Sequence, residues 1–131
     1  MSEIEYMRKL QVEATRLGLR LFRNHIGLGW SGKYQRLNAT DVLIRGARPL
    51  RAGLCEGSSD LIGWLPLTIT PQMVGSKIAV FSAVETKFGR GRTTKDQERF
   101  IEVVKDFGGF ALVTRDLEDF REGLNGFLSK N

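Results

Sequence analysis

Residues 78–87 form the strongest strand pattern in the chain, and this pattern constrains the fold more than any other feature. Successive side chains of a strand point to opposite faces. Glu85 and Lys87 therefore share a face with Phe81 and Ala83, which are apolar. We expect this strand to leave the core and to carry a carboxylate and an ammonium to one end of a sheet.

Helical and strand patterns alternate along the rest of the chain. The predicted order begins with a helix over residues 3–21 and strands over 41–45, 61–65 and 78–87. A second helix starts at a Thr94-to-Gln97 capping box and runs through Phe107 to a stop at Gly108-Gly109. A buried strand over 110–114 and a last helix capped by Asp116 complete the order. Glycines predict a loop over residues 23–36 and an irregular excursion over 67–77. The alternation predicts an α/β protein with a mixed central β-sheet flanked by α-helices, as one domain over residues 1–131.

The composition restricts the kinds of metal site. The chain has one cysteine, Cys55, and one histidine, His25, which excludes an internal disulfide, a thiolate zinc site and the usual two-His patterns. A bound metal would need oxygen ligands, which favours Mg²⁺ or Mn²⁺. No stretch reaches the ~20 apolar residues of a membrane span, and the first residues do not resemble a signal peptide, so we expect a cytoplasmic protein.

The net charge of +5 arises from arginine-rich runs. One run comprises Arg16, Arg20, Arg23, Lys33, Arg36, Arg45, Arg48 and Arg51, with Asp41 as the only acid among them, and a second comprises Lys87, Arg90, Arg92 and Lys95. The planar guanidinium suits bidentate contacts to phosphate, which favours nucleic acid as the partner. The alternative is a basic surface that serves solubility alone.

Asp60 lies at a glycine-serine turn that opens a strand, and Glu85 lies near the end of another. If these strands are neighbours, the two carboxylates converge and need a cation or an ammonium to stay ionised. Such a site suits phosphodiester hydrolysis, with Lys87 positioning the water or stabilising charge and Gln97 orienting either. Glu13, at the edge of the apolar stripe of the first helix, could reach the same cation.

Each of these residues also has a purely structural interpretation. Asp60 could cap a turn, and Glu85 with Lys87 could form an ion pair at a sheet edge. The capping box alone would explain Gln97.

Asp60 followed by Glu85-x-Lys87 resembles the core motif of the PD-(D/E)XK nucleases. The wider order of residues is similar to that of the VRR-NUC family, in particular its stand-alone phage members. The shared pattern comprises Glu13, Arg23-Asn24 ahead of Gly27, the run Ser59-Asp60-Leu61-Ile62-Gly63, Glu85-x-Lys87, Gly91-Arg92 and Thr94-x-x-Gln97. The chain departs from the pattern at Ser59, where proline is usual, and at Thr86, where an aliphatic residue is usual.

The resemblance implies a restriction-endonuclease-like core and a Mg²⁺- or Mn²⁺-dependent endonuclease that acts on structured DNA such as branches, flaps or junctions. It assigns the metal to Asp60, Glu85 and the backbone carbonyl of Thr86, with Glu13 as a further ligand. Catalytic roles fall to Asp60, Glu85, Lys87 and Gln97. The predicted nucleic-acid contacts are Arg23, Asn24, Lys33, Arg36, Arg90, Arg92 and Lys95.

The resemblance also suggests a homodimer, and phage origin would place the protein in the host cytoplasm. Two further functions stay open. One is a non-catalytic nucleic-acid-binding module on the same fold, whose binding would be indifferent to metal. The other is an RNA nuclease on the same core.

Overall fold

The computed structural model describes residues 2–130, so the two ends of the predicted domain, Met1 and Asn131, lie outside the described residues. The elements are α1 (Glu3–Arg16), β1 (Arg20–Arg23), β2 (Gly27–Arg36), β3 (Val42–Ala52), β4 (Leu61–Trp64), β5 (Ser82–Thr86), α2 (Lys95–Asp106), β6 (Phe110–Thr114) and α3 (Leu117–Lys130), with a short 3-10 helix at Pro71–Met73. The strands pair as three two-stranded sheets, two of them antiparallel and one parallel. The predicted mixed α/β class is confirmed.

The chain forms two compact units, Met1–Trp64 and Leu65–Asn131. The first contains α1 and the antiparallel strands β1 to β4, and the second contains β5, α2, β6 and α3. The single domain over residues 1–131 stays a prediction.

Helix α1 is shorter than predicted. Ser2 and Glu5 cap its start reciprocally, and Met7 and Ala14 face the core. The helix stops at Arg16 because Gly18 adopts a left-handed φ of 89° and the N–H of Leu19 bonds back to the carbonyl of Ala14 at 2.8 Å. The extension of the helix to residue 21 was therefore wrong.

Strand β1 pairs antiparallel with β4, and Gly63 lies opposite Leu21 in that ladder. A Cβ at position 63 would overlap the carbonyl oxygen of Arg20. The two backbones can approach this closely only because Gly63 has no side chain. The glycine of the Ser59-to-Gly63 motif therefore serves the pairing of β4, the strand that Asp60 precedes.

The predicted loop over residues 23–36 is wrong, because most of it forms β2, which pairs with β3 in a long antiparallel hairpin. The strand predicted over residues 41–45 exists but runs on to Ala52, past Pro49. Local sequence argued against strand here because glycine and proline disfavour it. Cross-strand hydrogen bonds to a partner nearby in the chain override that preference.

In the second unit, β5 pairs in parallel with β6, in register from Ser82 opposite Phe110 to Thr86 opposite Thr114. Strand β5 is shorter than the predicted 78–87, although the N–H of Lys87 still bonds to the carbonyl of Thr114 at 3.0 Å. The predicted alternation is confirmed, since the members of the Glu85 face are half-buried and those of the other face are exposed.

The predicted helix ends of this unit are largely confirmed. Thr94 and Gln97 form the capping box of α2, which ends at Asp106 ahead of Gly108, with a left-handed φ of 87°. Asp116 caps α3 by accepting a hydrogen bond from the N–H of Asp119 at 2.8 Å. The core here includes Ile101, Val104, Phe110 and Ala111.

None of the helices in residues 2–130 has both the length and the apolar character needed to cross a membrane.

The close approach at Gly63 gives a stability prediction. Gly63→Ala should lower the free energy of unfolding by about 1–3 kcal/mol, because the added methyl forces the β1 and β4 backbones apart. Urea unfolding followed by circular dichroism measures the change. Gly29→Ala is the matched control, since a Cβ at that strand glycine meets nothing within 4 Å. Equal stability of the two variants would contradict the assigned role of Gly63.

Candidate active site

Three polar side chains meet at the end of β5. The Nζ of Lys87 lies 2.9 Å from Oε1 of Glu85 and donates to Oε1 of Gln97, also at 2.9 Å. The Nε2 of Gln97 closes the triangle by donating to Oε1 of Glu85 at 2.8 Å. The sequence-predicted residues Glu85, Lys87 and Gln97 are thus brought together, and we refer to them as the triad.

The triad is partly withdrawn from solvent. The side chains of Lys87 and Glu85 retain 15% and 29% of their accessible surface. An ion pair in such a position is held more firmly than one on an open surface, because solvent and salt screen it less. The purely structural alternative of a sheet-edge ion pair therefore describes only part of what is seen, since Gln97 binds both partners.

Gln97 performs two tasks at once. Its Oε1 accepts from the backbone N–H of Thr94 at 2.9 Å as part of the capping box, and the same oxygen accepts from Lys87. Its Nε2 is left to bind Glu85. The helix cap thereby fixes the orientation of the amide that holds the two charged groups, so the capping and positioning interpretations are compatible.

The triad leaves bonding capacity unused. An ammonium has three N–H donors, and Lys87 gives two of them to Glu85 and Gln97. Oxygen Oε2 of Glu85 accepts no hydrogen bond from any residue between 2 and 130. One donor and one carboxylate oxygen are therefore available for ligands. Thr86 lies between the two charged residues on the exposed face, as its position in the strand predicts.

In the first unit, Asp60 directly precedes β4 and is exposed. Asn24 holds the turn before it: the Asn24 Nδ2 donates to Oγ of Ser58 at 2.8 Å and to the carbonyl of Ser59 at 2.9 Å. The backbone N–H of Asn24 donates to the carbonyl of Asp60 at 2.8 Å, and its Oδ1 accepts from the N–H of Leu54 at 3.1 Å. These bonds make Asn24 an organiser of the Asp60 turn, while a nucleic-acid contact by Asn24 stays a prediction.

Glu13 is exposed and bound to Arg16. The two carboxylate oxygens accept from Nε and Nη2 of that arginine, at 2.9 and 2.5 Å. This hydrogen bonding by Arg16 lowers the pKa of the Glu13 carboxyl below its usual value. Glu13 is thus paired on the exposed side of the helix, and its predicted role as a metal ligand stays a prediction.

A tight turn comes directly after Lys87 in the chain. It carries two predicted nucleic-acid contacts, Arg90 and Arg92, and both are exposed. Arg115 fixes this turn by donating from Nη1 to the carbonyl of Gly89 at 2.9 Å and from Nη2 to that of Gly91 at 2.8 Å. The sequence analysis missed Arg115. Only the parallel register, with Thr86 opposite Thr114, shows that the residues after β5 and β6 are neighbours.

The other predicted contacts lie on regular elements. Arg23 ends β1, Lys33 and Arg36 lie on β2, and Lys95 begins α2, all of them exposed.

The donor chemistry decides which metal the chain can hold. Within residues 2–130, no group of three or more His, Cys, Asp or Glu side chains is arranged to bind a metal ion. Among the described residues, Oε2 of Glu85 and the side-chain carboxylate of Asp60 nevertheless accept no hydrogen bond. Mg²⁺ prefers oxygen donors and retains several waters, so one or two carboxylates are enough to bind it. These oxygen donors are of the kind that suits a hard cation.

Comparison with known proteins gives a family match. The model of the VRR-NUC domain family matches residues 20–121, a stretch that includes Asp60, all members of the triad and both arginines of the turn. Comparisons with curated proteins and with solved structures gave no match. The match covers most of the chain and confirms the nuclease-type, restriction-endonuclease-like fold expected from the motif order. The chain belongs to the VRR-NUC domain family.

Proposed function

We propose that the protein is a metal-dependent endonuclease that hydrolyses DNA phosphodiesters, with branches, flaps or junctions as its substrates. The observation that carries the proposal is the triad, in which a half-buried carboxylate and ammonium are held by one amide and keep unused bonding capacity. A structural ion pair has no need of a third group that binds both partners. Membership of a nuclease family supports the same reading.

Asp60 and Glu85 are the proposed ligands of a Mg²⁺ or Mn²⁺ ion, together with the backbone carbonyl of Thr86. When bound, the ion supplies a Lewis acid that polarises the phosphoryl oxygen and screens developing negative charge. Glu13 is a proposed outer ligand that would act through water. Its pairing with Arg16 is exposed, and solvent and salt screen exposed pairs strongly, so the carboxylate can exchange partners at little cost.

Lys87 is the proposed group that handles the reacting water or the added negative charge. Two of its N–H bonds fix the ammonium on Glu85 and Gln97, which leaves the third to donate to a water or to a phosphate oxygen. Because the ammonium is held in advance, no reorganisation is needed when charge develops. Gln97 acts as a positioning residue, through Lys87 and Glu85.

DNA is the proposed partner because the predicted contact residues other than Asn24 are exposed cations. Arg90 and Arg92 lie on the turn that Arg115 fixes, and Lys95 follows at the start of α2. Arginine on a fixed turn presents its planar fork to phosphate with little loss of conformational freedom. A cytoplasmic location, in the host if the chain is phage-encoded, accords with this partner.

Metal-dependent cleavage tests the proposal. Purified protein is incubated with linear, flap and four-way-junction DNA, and with RNA of matched sequence, in Mn²⁺, Mg²⁺ or EDTA. We expect cleavage of structured DNA with either metal and none in EDTA. Asp60→Asn, Glu85→Gln and Lys87→Met should each lower the rate about 10²-fold or more, since each removes a proposed ligand or charge.

Glu102→Gln is the matched control, because this exposed carboxylate on α2 has no proposed role. Binding of every DNA without cleavage under either metal would favour the non-catalytic module. Cleavage of RNA alone would favour the RNA nuclease. Full activity of Lys87→Met would contradict the role given to the triad.

A pair of variants separates the two tasks of Gln97. Gln97→Glu keeps a capping-box residue but replaces the amide that donates to Glu85 with a second carboxylate, so cleavage should fall at least about tenfold although the cap is retained. Thr94→Ala removes the cap and should cost about 1 kcal/mol of stability while leaving the triad intact. Cleavage assays measure the activity of both variants, and urea unfolding measures their stability. Loss of activity in Thr94→Ala but not in Gln97→Glu would show that only the cap matters.

We also propose a homodimer, because two paired sites could address two strands of a junction. Light scattering at micromolar concentration should give twice the chain mass of 14.7 kDa. A monomer mass under those conditions would remove the dimer from the account and leave the cleavage proposal intact.

A further inference from the structure

The β2–β3 hairpin stands out in the first unit because it is stabilised by its own cross-strand ladder and little else. Every residue from Gly27 to Ala52 is exposed except Gly29 and Ile44, which are half-buried. An exposed two-stranded ribbon is only marginally stable by itself. Because the ribbon is exposed, it contributes little to the core of the unit, and its side chains are available for contacts outside the chain.

The ladder contains one irregularity. Ser31 lies opposite Arg48 and Lys33 opposite Arg45, so the interval from 45 to 48 on β3 holds one residue more than the interval from 31 to 33 on β2. Gly46 takes the left-handed φ of 62° that such a bulge requires. Gly32 faces the bulge, and a Cβ there would come within 2.7 Å of the carbonyl oxygen of Arg45. The two glycines therefore build the bulge.

The bulge collects cations on one face. Residues directly opposite each other in an antiparallel ladder share a face, as do residues two apart on a strand. Ser31, Lys33, Arg45 and Arg48 consequently lie together, and we call this set the bulge face. A shallow concavity is lined by these four residues with Gly32 and Gly46.

The three cations of the bulge face have no partner of their own. Within residues 2–130, the side chains of Lys33, Arg45 and Arg48 form neither a hydrogen bond nor an ion pair. The one acid of the hairpin, Asp41, lies in the connecting loop and is held by Asn38 at 2.7 Å. Three uncompensated cations so close together repel one another, which an anionic ligand would relieve.

We propose that the bulge face is a docking site for the sugar-phosphate backbone of double-stranded DNA. The inference rests on the proposed function in taking DNA as the partner, and it adds Arg45 and Arg48, which no catalytic role involves. Strand β2 extends about 30 Å, close to the axial length of one turn of duplex DNA, so the ribbon is long enough to lie along a duplex and to contact several phosphates. Arginine forks on a hydrogen-bonded ladder suit phosphate oxygens.

The opposite face provides an internal comparison because its chemistry is different. It carries Leu28 opposite Arg51 and Trp30 opposite Pro49, so it has one exposed arginine among apolar groups in that half of the ladder. If the hairpin attracted DNA through its net charge alone, Arg51 would count as much as Arg48. If the bulge face is the docking site, Arg48 contacts phosphate and Arg51 does not.

Salt-dependent binding in EDTA tests the proposal without any cleavage. A fluorescent linear duplex is titrated with the protein at several salt concentrations between about 50 and 200 mM, and the slope of log K against log salt is measured. Each phosphate contact contributes about 0.9 to that slope, so the variant Arg45→Gln/Arg48→Gln should lower its magnitude by about 2 and weaken binding about tenfold or more. Arg48→Gln alone should lower it by about 1.

Arg51→Gln is the matched control, with the same change of charge on the same strand, and its slope should equal that of the wild type. Arg45→Lys/Arg48→Lys, which keeps the charge and the ladder, should retain most of the wild-type slope. Equal losses in Arg48→Gln and Arg51→Gln, or no loss in either, would overturn the docking site. Tighter, equally face-dependent binding of duplex RNA would overturn DNA as its occupant.

Failure of the nuclease proposal has a separate signature. A wild-type protein that does not cleave in Mn²⁺ but loses DNA affinity on substitution of the bulge face would keep the docking site and remove the enzyme.

Discussion

The bond network of one ammonium organises the candidate site of the second unit. Lys87 lies just beyond β5, a strand whose half-buried face would otherwise be apolar, and it holds Glu85 and Gln97 at 2.9 Å each. Without it, Glu85 would lose the cation that offsets its partial burial. Without Gln97, each of the two charged groups would lose one hydrogen-bond partner. The geometry on which the proposed hydrolysis rests is thus also what makes two charges tolerable in this place.

Local structure positions each member of the site by ordinary means. The parallel register of β5 and β6 brings the turn after β5 next to Arg115, which fixes that turn through two carbonyl oxygens. The capping box of α2 orients the amide of Gln97. Asn24 shapes the turn of Asp60, and Gly63 permits the strand that follows it to pair closely. The geometry of the candidate site therefore depends on residues whose own chemistry is structural.

Sequence reasoning succeeded where a signal was local. The alternation around Glu85 and the capping box of Gln97 each depend on neighbours within one element, and both are confirmed. The hairpin Gly27–Ala52 was missed because its strands are stabilised by each other, against the preferences of their glycines and proline. Arg115 was missed because its contacts depend on a register that no local pattern encodes. The bonding of Glu13 to Arg16 is another contact that helical spacing permits but does not single out.

The central proposal is that Asp60 and Glu85 ligate one divalent cation, and Mn²⁺ binding tests it without substrate. Electron paramagnetic resonance measures free Mn²⁺ in titrations of the wild type, Asp60→Asn, Glu85→Gln and the double variant. Losses of affinity from two ligands of one ion are not additive. We therefore expect each single substitution to weaken Mn²⁺ binding at least about tenfold, and the double variant to lose no more affinity than one single variant does. Independent, additive losses, or undiminished binding in the double variant, would contradict it.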